Sequence, residues 1–161
     1  EMKDLQVAFL KSQIPHQDIP QDTAFFSALY KFARKHKVKY VLTGGSFALL
    51  ALVLGAFATH ALKAHFSAEV LQSFQTGIRY MMYHGLALMI FSKISWARNP
   101  IIYRLFFWGI ILFSFSIFIL CIAKLTSFDF SWLGPVTPIG GGLLIMGWAL
   151  VLLKTYQNKN H

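Results

Sequence analysis

The residues best placed to do chemistry lie between Gly55 and Gly85, in the stretch GAFATHALKAHFSAEVLQSFQTGIRYMMYHG. An apolar run ends in His60, a polar segment with Lys63, His65 and Glu69 follows, and apolar sequence resumes past Arg79 and His84. His60 and His84 are imidazoles at the lips of two hydrophobic segments, and imidazole is a common axial ligand of haem iron. Arg79 and the same histidines also suit a path for protons or a small solute, since ionisable groups within a membrane are functional candidates. The plainer reading is that each histidine hydrogen-bonds between helices, as polar side chains in membranes commonly do. No serine-nucleophile motif, HExxH motif or intramembrane carboxylate pair accompanies them, which argues against a hydrolytic enzyme. Cys121 is the only cysteine and no CxxC exists, so thiol redox chemistry and thiolate metal sites are disfavoured.

These residues need elements to hold them, and composition says of what kind. The chain has 161 residues, 56% hydrophobic and 13% charged, against about 25% charged in a soluble domain. With mean hydropathy at +0.54, an all-α integral membrane protein is expected. The net charge of +9 is carried by short basic clusters between apolar runs. That is how topology signals are distributed, and it argues against nucleic acid as a partner.

Four spans are legible. Residues 40–62 contain no Asp, Glu, Lys or Arg, and about 20 residues suffice to cross a bilayer. Gly44, Ala48, Ala51, Gly55 and Thr59 recur at spacings of three or four, a small-residue stripe suited to close helix packing. The second uncharged run, residues 80–92, is too short alone, at about 1.5 Å per residue. Capping at Ser67, with Val70, Leu71, Phe74 and Ile78 extending the apolar face, repairs it. Arg79 then needs a partner, and Glu69 is too far along the same helix to supply one. Residues 105–123 form a third span, read as lipid-facing scaffold, with Ser114 and Ser116 bonding back to their own helix. The fourth runs from about Thr137 to Leu153, with Gly140, Gly141, Gly142 and Gly147 as further packing positions.

The expected organisation is therefore an N-terminal arm over 1–38, a four-helix transmembrane bundle over 39–155 and a polar tail over 156–161. Within the arm, Asp22 is placed to cap a basic amphipathic helix over 22–37, suited to a headgroup layer, anionic lipids above all, or to a partner subunit. Ten basic residues (Lys31, Arg34, Lys35, Lys37, Lys39, Lys93, Arg98, Arg104, Lys154 and Lys159) fall on one side, against Lys63, Arg79 and Lys124 on the other. The positive-inside rule puts both termini in the cytoplasm, or in the matrix for a mitochondrial inner-membrane protein. His60, His84, Arg79, Asp129 and Thr137 then gather toward one outer mouth of the bundle.

Gly55-Ala56-Phe57-Ala58-Thr59-His60-Ala61-Leu62-Lys63, then Phe74-Gln75-Thr76-Gly77, Tyr80 and His84-Gly85-Leu86-Ala87-Leu88, then Thr137-Pro138-Ile139-Gly140-Gly141 and Gly147-Trp148, together resemble the YgdD-like family. Its members are small four-helix membrane proteins of unknown function in bacteria, with a small mitochondrial relative in animals. The resemblance covers roughly residues 40–155 and implies the bundle rather than a mechanism. The family has Gly-Ala where this chain has Ala58-Thr59, which predicts a looser helix contact there, and its members begin nearer the first span. The extra N-terminal residues suggest docking. The reading is a non-catalytic multi-pass protein of the bacterial plasma membrane or mitochondrial inner membrane, without a cofactor, serving as an accessory subunit of a larger assembly such as a respiratory complex. A haem- or other cofactor-binding protein using His60 and His84, or a proton or solute carrier, is the alternative.

Overall fold

The computed structural model describes residues 23–126 and 129–159, with side chains from Lys37 onward. The chain divides into two units, Glu1–His36 and Lys37–His161, and the second holds the features below. Of the arm expected over 1–38, residues 1–22 and the side chains up to His36 lie outside the described residues; the Asp22 cap is among these.

The elements are α1 (Thr23–His60), α2 (Ala68–Phe91), α3 (Pro100–Ile110), α4 (Ser116–Ala123) and α5 (Val136–Lys159). A π-helical segment, Ile111–Phe115, joins α3 to α4, and single 3-10 turns occupy Leu62–Ala64 and Ser131–Leu133. Among the described residues there is no strand. With no proline between Pro20 and Pro100 to interrupt it, the helix expected over 22–37 runs on into the first apolar span as one element. Three stretches are long and apolar enough to cross a membrane: Lys37–His60, Pro100–Ala123 and Ser131–Lys159. Only 22% to 39% of each is buried inside the bundle, so most of each faces outward. Leu42, Leu49, Leu52, Ile145, Leu152 and Leu153 are all exposed there, a surface suited to lipid and a liability in water.

Local chemistry sets the helix starts. Ser67 Oγ accepts from the Val70 amide at 3.4 Å, capping α2 twelve residues ahead of the uncharged run. Asn99 Oδ1 accepts from the Ile101 amide at 2.8 Å, and Pro100 takes the first position of α3, where its missing N–H costs nothing.

The helices meet at glycines. A methyl group on Gly44 of α1 would run into the Gly85 carbonyl oxygen of α2, and one on Gly85 would lie 2.9 Å from the Gly44 carbonyl oxygen. The two backbones therefore touch. At Gly147 of α5 a methyl would fall 2.7 Å from the Phe106 ring, and at Gly109 of α3 2.6 Å from Leu144. Gly77 of α2 similarly faces Phe118 of α4 at 2.7 Å. At the Lys37 end of the first apolar stretch, the Tyr40 hydroxyl donates to the Asn99 carbonyl at 2.7 Å, and the Thr43 and Tyr103 hydroxyls share a bond of 2.9 Å.

The packing set expected from the small-residue pattern divides accordingly. Gly44, Gly140 and Gly147 sit at tight crossings, Ala51 is buried and Ala48 is half-buried beside Gly85. Gly55 has its nearest neighbour at 3.9 Å, Gly141 has Phe113 at 3.6 Å, and Gly142 faces open space. Gly142 is two residues past Gly140, about 200° around the helix, so both cannot face α3. The third span is not lipid-facing throughout: one face of it is packed inside the bundle. Ile102, Phe106, Ile110 and Ser114 are completely buried there, because α3 lies between α2 and α5.

Candidate functional site

Since α2 lays Gly85 against α1, its neighbour His84 turns about 100° away, into the space between α2, α3 and α5. His84 is buried among aromatic rings, with Phe106 at 5.6 Å, Trp148 edge-on at 6.2 Å and Tyr80 stacked at 5.8 Å between centroids. Phe91 closes the cluster against Phe106 at 5.3 Å and Trp148 at 5.9 Å. Nδ1 of His84 lies 2.7 Å from the Tyr80 carbonyl oxygen. A carbonyl only accepts, so Nδ1 carries the proton. In the neutral ring Nε2 is left as the acceptor. The chemistry on offer is that of one oriented imidazole with one basic nitrogen.

His60 does not share this site. It is the exposed last residue of α1. It lies sixteen residues beyond the Gly44 crossing, about 24 Å along the helix. A single iron cannot take both imidazoles in this register. Among the described residues no three His, Cys, Asp or Glu converge.

The three other polar candidates are each engaged with a different residue rather than with one another. Arg79 is exposed, and its Nη2 donates to Thr76 Oγ1 at 3.0 Å, one turn back on α2. Among the described residues it meets no carboxylate. Asp129 is exposed in the turn after α4, and its Oδ1 accepts from the Ser131 amide at 2.8 Å. Thr137 Oγ1 shares a 2.7 Å hydrogen bond with Ser116 Oγ. Each of the three thus has its own partner, in Thr76, Ser131 or Ser116, and this breaks up the expected gathering at the outer mouth.

The Asp129 contact has a pH consequence. The Ser131 amide, followed by the Ser131 side chain, holds the Asp129 carboxyl below its ordinary value. A depressed folded value means the contact contributes fully above the unfolded value of about 3.9 and is lost as pH falls through the lower folded value. Carboxyl-carbon NMR in detergent should therefore give Asp129 a midpoint below the ordinary aspartate value of about 3.9. Asp129→Asn should abolish that titration without moving the helices. A midpoint at or above the ordinary aspartate value would contradict the turn geometry.

The structural feature that pattern reading passes over is the π-helical segment. Its extra residue pushes backbone outward, and a methyl on Gly140 of α5 would run into the Phe113 amide nitrogen. Ser116 Oγ donates back toward the Leu112 carbonyl at 2.5 Å, with the Phe113 carbonyl at 3.0 Å, while bonding Thr137 across the interface. Ser114 is fully buried and, among the described residues, its hydroxyl has no partner. Phe113 in turn packs on Tyr80 at 4.8 Å, linking the segment to the His84 cluster. The sequence signal was available in the two serines of an otherwise aromatic and aliphatic run, opposite a glycine triplet.

A family described as "Protein of unknown function (DUF423)" matches residues 54–141, from the last two turns of α1 to the first turns of α5. A UPF0382 membrane protein of Staphylococcus aureus (strain bovine RF122 / ET3-1) is 36% identical over 121 residues, covering 73% of this chain and 95% of the relative. The UPF0382 membrane protein YwdK of Bacillus subtilis (strain 168) is 34% identical over 123 residues, covering 73% and 96%. A relative from Staphylococcus saprophyticus is 34% identical over 122 residues, covering 73% and 97%. No solved structure matches the chain.

Proposed function

This chain belongs to the DUF423 family of bacterial membrane proteins of unknown function, and from that premise we propose that it is a non-catalytic four-crossing subunit that docks into a larger membrane assembly. The docking surface in this reading is the outward face of α2. The observation that carries it is the depth and exposure of Arg79.

What supports four crossings is the path of the chain. Tyr40 is bonded to Asn99, the cap of α3, so a chain that reaches the far end of the bundle at His60 has to return before α3 begins. The 24-residue α2 makes that return. Its Gly85 lies against Gly44, and Arg79 is six residues further out, about 9 Å, level with Leu50. That is near the middle of the Lys37–His60 stretch. Gln72, Gln75, Arg79 and Tyr83 are exposed and Thr76 is half-buried beside them, so a polar stripe at three- and four-residue spacing faces away from the bundle. A guanidinium at this depth is costly in lipid and is normally paired. Among the described residues it has only Thr76. A carboxylate on a neighbouring subunit's helix supplies the missing partner. By the basic-residue asymmetry both termini are cytoplasmic, in the plasma membrane of a bacterium.

The test is purification from native membranes in mild detergent. A stoichiometric partner should accompany the wild type, be lost with Arg79→Gln, and return when Arg79→Glu is combined with a lysine in place of the partner's carboxylate. A wild-type chain that purifies alone while retaining its full cellular activity would sink the reading.

A further inference from the structure

A second site lies away from both the Arg79 stripe and the His84 cluster. A groove of about 500 Å³ opens between the first turns of α2 and the last turns of α4, lined by Glu69, Val70, Ser73, Ile117, Leu120, Cys121 and Lys124. That volume is in the range of small-molecule sites, about 300–1,000 Å³. We infer that it binds one phospholipid of the phosphatidylethanolamine type, through its ammonium and phosphate together.

The lining residues are ordered by depth. Glu69 begins α2 and Lys124 directly follows α4, so both charges lie at the rim. Ser73 and Cys121 are a turn further in, and Ile117 is two turns in from Lys124. Charge thus gives way to apolar wall along the direction in which a headgroup gives way to its acyl chains. Lys124 directly follows the Pro100–Ala123 stretch that is apolar enough to cross a membrane, which sets the rim at headgroup level.

The polar atoms select the headgroup. Among the described residues neither Glu69 nor Lys124 forms an ion pair, so each charge is open to a ligand. The Ser73 hydroxyl already donates to the Glu69 carbonyl at 3.1 Å, which leaves its lone pairs to accept from a ligand. Cys121 Sγ is turned toward the Val70 carbonyl at 3.6 Å and presents little polarity. The acid side of the groove therefore asks for a group with several N–H donors, and Lys124 asks for an anion. A primary ammonium meets the first requirement, whereas a quaternary choline has no N–H to give. A headgroup with only negative charge would satisfy Lys124 and be repelled by Glu69, with Asp129 adding to the repulsion from beside Lys124.

The purified chain can be mixed in detergent with an equimolar pair of phosphatidylethanolamine and phosphatidylglycerol carrying identical acyl chains, and retained lipid counted by native mass spectrometry. Retention of the ethanolamine lipid should exceed that of the glycerol lipid about tenfold, with phosphatidylcholine between them. Glu69→Gln should erase the preference, Lys124→Gln should lower retention of both lipids, and Leu120→Trp, which fills the groove, should abolish retention. Unchanged thermal midpoints in detergent establish that these variants are folded. Equal retention of the two lipids by the wild type, or a preference that survives Glu69→Gln, overturns the assignment. All three variants keep Arg79, so partner capture is read separately.

Discussion

Gly44→Val should unfold the α1–α2 hairpin or force it apart. The reason is the absence of give. At Gly147, Gly109 and Gly77 the atom facing the glycine belongs to a side chain, which can rotate away. At Gly44 it is the Gly85 carbonyl oxygen, with Met89 Cγ at 2.8 Å beyond it, and backbone cannot move without moving α2. Overpacking a well-filled interior typically costs about 1–3 kcal/mol, and this site belongs at the upper end. At about 2–4 °C per kcal/mol for a chain of this size, the midpoint should fall by roughly 6–12 °C. Gly85→Ala should do the same to a smaller degree, since its methyl would lie 2.9 Å from the Gly44 carbonyl oxygen and 3.1 Å from Phe47 Cβ. The control is Gly45→Ala, one residue along the same helix with nothing within 4 Å, which should leave the midpoint unmoved or slightly raised by better helix propensity. Thermal unfolding in one detergent, followed by circular dichroism, compares the three. Equal midpoints for Gly44→Val and Gly45→Ala would mean that the helices do not cross at Gly44.

How much of this crossing can be read from sequence depends on which partner is asked about. Gly44, Ala48 and Ala51 form a stripe whose period alone marks a contact face on α1. Nothing in that period says that the opposing residue is Gly85, whose neighbours His84 and Leu86 draw attention as part of a motif. The α2 cap at Ser67 is legible because a hydroxyl followed by a helical apolar pattern has one physical use. The burial of Ser114 and Ser116 is not legible. In an apolar run a serine that bonds its own helix has the same sequence signature whether it faces lipid or protein, and only the position of α5 decides. The π-helical segment is hidden for the same reason. Its widened backbone is tolerated because Gly140 has no side chain, and that complementarity is between residues twenty-seven positions apart.

The polar candidates fail to gather for a related reason. Reading Arg79, Asp129 and Thr137 as one mouth assumes that polar groups near the same membrane face seek each other. Each instead has a closer partner in Thr76, Ser131 and Ser116. Of the three, Thr137 is neutral and the Asp129 carboxylate is met by the Ser131 amide, while Arg79 is exposed and, among the described residues, meets no carboxylate.

That charge yields the second large effect. With Arg79→Leu, α2 should enter a bilayer far more readily than the wild-type segment. On the insertion scale a central arginine costs about 2.5–3.5 kcal/mol and leucine contributes about 0.3–0.6 kcal/mol in favour. The difference of about 3–4 kcal/mol corresponds to roughly two to three orders of magnitude in the insertion equilibrium, at about 1.4 kcal/mol per factor of ten. The measurement places residues 68–91 between engineered glycosylation sites and compares the inserted fractions of the two sequences. Glu69→Leu should change insertion much less, because Glu69 lies at the end of the helix, where charge costs little. If Arg79→Leu leaves insertion unchanged, then α2 does not carry Arg79 near mid-depth, and the case for an external partner loses its energetic basis. If insertion rises while the co-purifying partner is lost, stability of the span and docking have been separated. Arg79 would then be a residue whose cost to α2 is offset only in the assembly. A subunit built this way inserts poorly alone and fully only where its partner waits, so the same guanidinium that weakens the helix also specifies where it belongs.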